Sequence, residues 1–143
     1  MGQFFGAHFA ELYLIFRVGF AVMTAMHGIQ KTFLLWNFPS EQDLDPLVDI
    51  AGYVELIAAI MIGVGVLTRL AAGAMMCVTA SAFFAIHLER GLWPHYWNPD
   101  HGFDTLHHGG EVVIMHFLGA WVIGILGSGK RGLERRITGK ELL

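Results

Sequence analysis

Apolar residues dominate four stretches of this chain, broken by short polar links. The stretches run over about 12–36, 47–67, 70–88 and 110–126. Each approaches the roughly 20 mostly apolar residues that a helix needs to cross a bilayer core about 30 Å thick. The pattern predicts an all-α, integral membrane four-helix bundle in one domain covering residues 1–143. Membrane strands would alternate apolar and polar residues, and the run Ile57-Ala-Ala-Ile-Met-Ile-Gly-Val-Gly-Val66 does not. A soluble bundle would need a polar outer face, and segments two to four show no polar stripe.

Composition agrees. Hydrophobic residues make up 55% of the chain, charged residues 15%, and the mean hydropathy is +0.53. A soluble domain carries more charge. The net charge of -3 says little, but its distribution sets an orientation. Lys130, Arg131, Arg135, Arg136 and Lys140 crowd the tail, 128–143, and Arg69 sits in the tight link between segments two and three. The link with Glu41, Asp43, Asp45 and Asp49 has no Lys or Arg, and the link 89–108 has only Arg90. The positive-inside rule predicts a cytoplasmic N-terminus and C-terminus, with both longer links external. The start has no basic region or small-residue cleavage site, so the first helix is expected to be retained as a signal anchor. Trp36, Trp93, Tyr96 and Trp97 fall where an outer aromatic belt belongs, and Pro39, Pro46, Pro94 and Pro99 fall where helices must stop. The link 89–108 is long enough to suggest partial structure of its own. The basic tail is expected to touch anionic lipid rather than nucleic acid.

Small residues at four-residue intervals let membrane helices approach closely. Gly73, Cys77, Ser81 and Ala85 make such a stripe in segment three; Ala120, Gly124 and Ser128 make one in segment four. Both are expected to pack. Cys77 is the only cysteine, which excludes an intrachain disulfide and a CxxC relay.

Ionisable groups inside the spans carry the candidate chemistry. They are costly, about 2.5–3.5 kcal/mol each at a helix centre, and usually meet a partner or a cavity. They are Arg17, His27, Lys31, Glu55, His87, Glu111 and His116, with His107 and His108 just before segment four. With alternating helix directions, His27, Lys31, Glu55, His87 and Glu111 all reach the external layer, which predicts a shared site. His27 and Lys31 share a face, four residues apart, as do His107 and Glu111. His116 falls on a different face from Glu111, and Arg17 is expected to lie too deep and to snorkel inward. The alternative for Lys31 and Glu55 is one structural ion pair holding the first two helices together. His87, His107, His108 and Glu111 supply enough donors for a metal such as zinc, copper or iron, and His27 with His87 or His116 for haem. No HExxH, P-loop, GxSxG or GxGxxG before a helix accompanies them.

These residues resemble the DoxX family. His27-Gly-Ile-Gln-Lys31 looks like its HG-x-x-K motif. Glu55 with the run ending in Gly65-Val-Leu-Thr-Arg69 looks like its E…G-x-L-T-R signature. His87 and Gly109-Gly-Glu111 match its usual layout. One departure lies in the tail, where the family commonly has Ser-Leu-Asp and this chain has Gly132-Leu-Glu134. The resemblance implies a multi-pass inner-membrane protein tied to quinone-dependent oxidoreduction, similar in some members to the membrane subunit of thiosulfate:quinone oxidoreductase. Other oxidoreductase subunits, or further copies of the chain, are the partners it implies. The leading expectation is a quinone-interacting subunit. Lys31 and His27 would donate to a quinone carbonyl, with Glu55, Glu111 and His87 relaying protons. A His/Glu metal- or haem-binding protein and a non-catalytic scaffold or assembly factor are the other two readings.

Overall fold

The computed structural model describes residues 2–35, 46–88, 97–98, 102–103 and 110–141. Four apolar helices form the bundle: α1 (Gly2–Phe33), α2 (Pro46–Val64), α3 (Thr68–Ala82) and α4 (Glu111–Leu126). A π-helical turn over Phe83–His87 prolongs α3, and a short helix, α5 (Leu133–Thr138), follows α4. In the link 89–108, two-residue strands β1 (Trp97–Asn98) and β2 (Gly102–Phe103) pair antiparallel.

By length and apolarity α1, α2 and α3 with its π turn can each cross a membrane. α4 is apolar but has 16 residues, a rise of about 24 Å at 1.5 Å per residue. Gly110 precedes it, and Gly127, at φ 65°, ends it.

Boundaries moved for local reasons. α1 begins about three turns before the expected start, because Gly2–Ala10 contains no proline and no cluster of helix breakers. α2 ends at Val64, where Gly65 adopts φ 81° and the N–H groups of Gly65 and Val66 both donate to the Met61 carbonyl, at 2.9 and 3.0 Å. A left-handed glycine is the usual device for such a stop.

The outside is apolar. Ile15, Leu47, Ile57, Ile60, Met115 and Ile125 are all exposed, which suits lipid rather than the polar outer face that a soluble bundle needs. The core is small: Ala21, Ala58, Ile62, Ala71, Ala72, Met75, Ala120 and Ile123. Alanine at these positions lets helix backbones approach, the main source of association in lipid.

The two small-residue stripes behave differently. In α4 Ala120 and Ser128 are buried, and a Cβ on Gly124 would stand 3.7 Å from the Ala72 Cβ. In α3 the expected stripe faces outward: Cys77, Ser81 and Ala85 are exposed, and a Cβ on Gly73 would meet nothing within 4 Å. The buried face is instead Thr68, Ala71, Ala72, Met75 and Thr79. These residues repeat at three and four as well, so spacing alone could not choose between the two faces.

Candidate functional site

The site begins where two helices come closest. A Cβ on Gly28 of α1 would lie 2.7 Å from the Leu56 backbone nitrogen, and one on Gly52 of α2 would lie 2.8 Å from the Lys31 Cβ. Glycine at both positions therefore lets α1 and α2 touch backbone to side chain. That contact lays the Lys31 stem along α2, and its Nζ donates to Glu55 Oε1 at 2.6 Å. Lys31 keeps 20% of its side-chain exposure and Glu55 only 7%. The second carboxylate oxygen, Glu55 Oε2, is buried without a hydrogen-bond partner, as is Thr32 Oγ1 nearby.

His27 lies one turn along α1 from Lys31, on the same face. Its ring meets that of His116 from α4 edge to face, with centroids 5.1 Å apart at 82°. His116 Nδ1 lies 2.9 Å from the Val112 carbonyl. A carbonyl only accepts, so Nδ1 carries the proton and Nε2 the lone pair. Nε2 is buried and has no partner. Phe20 packs on the far side of His116, with centroids 5.7 Å apart, and occupies the space beside Gly119. On the outer side of His27, a hollow of about 320 Å³ is lined by Met23, Met26, His27 and Gln30.

Of the expected cluster, Lys31 and Glu55 meet directly and His27 lies a turn away. Glu111 opens α4 half-buried, with Oε2 buried and unpartnered, and makes no ion pair with Lys31. His87 ends the π turn, half-buried. His107 and His108 lie outside the described residues. Among the described residues, no group of three or more His, Cys, Asp or Glu is arranged to hold a metal.

His116 is the residue the sequence undervalued. Spacing sets it against Glu111 on the same helix and joins it to His27 only as a haem ligand, whereas the two rings pack directly against each other. Depth would have found it. It sits five residues inside the start of α4, about 7.5 Å, and His27 six residues inside the end of α1, about 9 Å.

A second polar cluster occupies the opposite end. Arg17, 1% exposed, reaches toward the tail as expected, but ends in protein, its Nη1 donating to the Ser128 carbonyl at 2.6 Å. The Tyr13 hydroxyl donates to the Gly127 carbonyl at 2.5 Å. Gly65 leaves the room that the Arg17 guanidinium fills. The tail folds back over the α2–α3 turn: Leu67 N–H donates to Glu134 Oε2 at 2.7 Å, and Glu134 N–H to the Gly65 carbonyl at 3.1 Å. Ser128 N–H donates to Glu141 at 2.5 Å, which also pairs with Arg69 at 3.6 Å, and Arg131 pairs with Glu11 at 2.5 Å. Nothing in the spacing along the chain announces this clasp.

The DoxX family model matches residues 12–88. No curated protein and no solved structure matches the chain. The matched stretch holds His27, Lys31, Glu55, the 65–69 turn and His87, and leaves Glu111 and His116 outside it.

Proposed function

The chain belongs to the DoxX family, and from that premise we propose that it is a quinone-interacting membrane subunit of an oxidoreductase. The observation that carries this reading is the Lys31–Glu55 pair, 2.6 Å apart between apolar helices, with one carboxylate oxygen left buried and unpartnered. A buried charge pair of this kind needs a reason, because intramembrane ionisable groups are costly and mark pathways for protons, ions or substrates. The residues also suit a quinone head. Lys31 Nζ, Gln30 and His27 can donate hydrogen bonds to its carbonyls, and the hollow at Met23, Met26, His27 and Gln30 has the apolar walls that its ring requires. Glu55, Glu111 and His116 each hold a buried, unpartnered acceptor atom able to take a proton.

When bound, a quinone would supply two-electron, two-proton redox chemistry. The chain's own part is to hold the head, exclude water and carry protons. On this reading the Lys31 end faces outward from the inner membrane, and the tail lies in the cytoplasm beside Arg69.

Extraction of bound quinone from the purified protein tests the proposal. Wild type should retain or bind quinone, and Lys31→Ala should weaken binding about ten-fold or more while the protein still folds. Equal binding by both proteins refutes the assignment of Lys31.

One observation favours a second reading. The glycine contact at Gly28 and Gly52 lies beside the ion pair, so the pair also fits a non-catalytic scaffold whose charges fix helix register. In that case wild type binds no quinone and Lys31→Ala lowers only abundance.

A further inference from the structure

The tail is a folded element with two faces. Glu134 points inward at 3% exposure and pins α5 to the α2–α3 turn. Gly139, at φ 75°, closes the helix by donating to the Arg135 carbonyl at 3.0 Å, and the Thr138 hydroxyl donates to the Glu134 carbonyl at 2.7 Å. These bonds hold a helix that is far too short to persist alone, and they fix its rotation.

With Glu134 inward, a turn of about 100° per residue places Leu133, Arg136 and Ile137 together on one outward side. Leu133 is 39% exposed and Ile137 73%, the highest value of any large apolar side chain among the described residues. Neither belongs to a spanning helix, so the lipid that covers the bundle's flanks does not by itself account for them. Cations surround them. Arg69 and Arg131 are held by Glu141 and Glu11. Lys130, Arg135, Arg136 and Lys140 are exposed and make no ion pair among the described residues. Apolar tips ringed by unneutralised cations, at the end of a bundle with apolar flanks, match one medium: the boundary between acyl chains and anionic headgroups.

We propose that the outward face of α5 and its flanking loop, formed by Leu133, Arg136, Ile137 and Lys140, binds anionic phospholipid. The apolar pair enters the acyl boundary, and the cations engage headgroup phosphates. The tail is then a built lipid-headgroup surface held at fixed depth, rather than a loose basic string. This is independent of the redox reading.

Spin labels at Ile137→Cys and, separately, Arg135→Cys, both in a Cys77→Ala background, read this in nanodiscs of phosphatidylglycerol and phosphatidylcholine. In discs with phosphatidylglycerol the label at 137 should be accessible to oxygen and shielded from a water-soluble nickel relaxant. The label at 135, on the opposite side of α5, should be open to nickel. In pure phosphatidylcholine the shielding at 137 should fall. Lipids retained on purification supply a second readout. Arg136→Ala with Lys140→Ala should cut the enrichment of phosphatidylglycerol several-fold, since each basic residue near an anionic surface changes its attraction about five-fold. Equal nickel access at 137 and 135 overturns the proposal, whether the tail is loose or its face awaits a protein. Unchanged lipid enrichment in the double variant overturns it too.

Discussion

Removing either member of the Lys31–Glu55 pair should destabilise the bundle unequally. At 2.6 Å two unit charges attract by about 6 kcal/mol at an effective dielectric of 20, most of which the cost of taking both from water offsets. Breaking a buried pair from one side costs about 3–5 kcal/mol, because a charge is stranded. Lys31→Met strands a carboxylate that keeps only 7% of its exposure, so about 3 kcal/mol is expected. Glu55→Leu strands an ammonium on a flexible stem that is already 20% exposed and can swing toward water. It should cost less, about 1–2 kcal/mol. The double variant removes both charges and should recover much of the loss, with a coupling of about 2 kcal/mol. Reversible unfolding of the four proteins in one bilayer or detergent measures the cycle. Additivity within about 0.5 kcal/mol would show that the two side chains do not depend on each other, and the reasoning built on their contact would fail.

Three further outcomes follow from particular contacts. Gly28→Ala puts a methyl against the Leu56 backbone and should cost about 1–3 kcal/mol; Gly73→Ala, with open space around it, should be near neutral in the same unfolding assay. Glu134→Ala removes the acceptor of Leu67 N–H and should cost about 1–3 kcal/mol, with faster amide exchange at 66–68 and faster proteolysis within 129–138. Gly65→Ala meets both a φ of 81° and the Arg17 guanidinium; a loss of at least about 1–2 kcal/mol should appear as a lowered melting temperature.

What the sequence revealed, it revealed through strong one-dimensional signals. Long apolar runs gave the four main helices, and Gly65 and Gly127 account for where two of them stop. The Lys31–Glu55 contact was legible because two opposite charges in apolar helices have few other places to go. Signals that needed an angle were lost. His116 meets His27 across the bundle, and no spacing along α4 alone could reveal it. The buried face of α3 differs from the expected stripe because two faces of that helix both carry small residues. α5 was missed because six residues have no helical stability of their own; it forms through Glu134, whose partner is 67 positions upstream.

That last bond ties early chain to late chain. The Leu67 amide and the Arg17 guanidinium enter the membrane long before the ribosome has made Ser128 and Glu134. Until then each must lean on water, lipid phosphate or a chaperone. The hairpin of α2 and α3 is therefore synthesised before the tail residues that complete its contacts. A chain interrupted between the two would carry an unanswered cation and an open amide, the kind of defect that membrane quality control recognises.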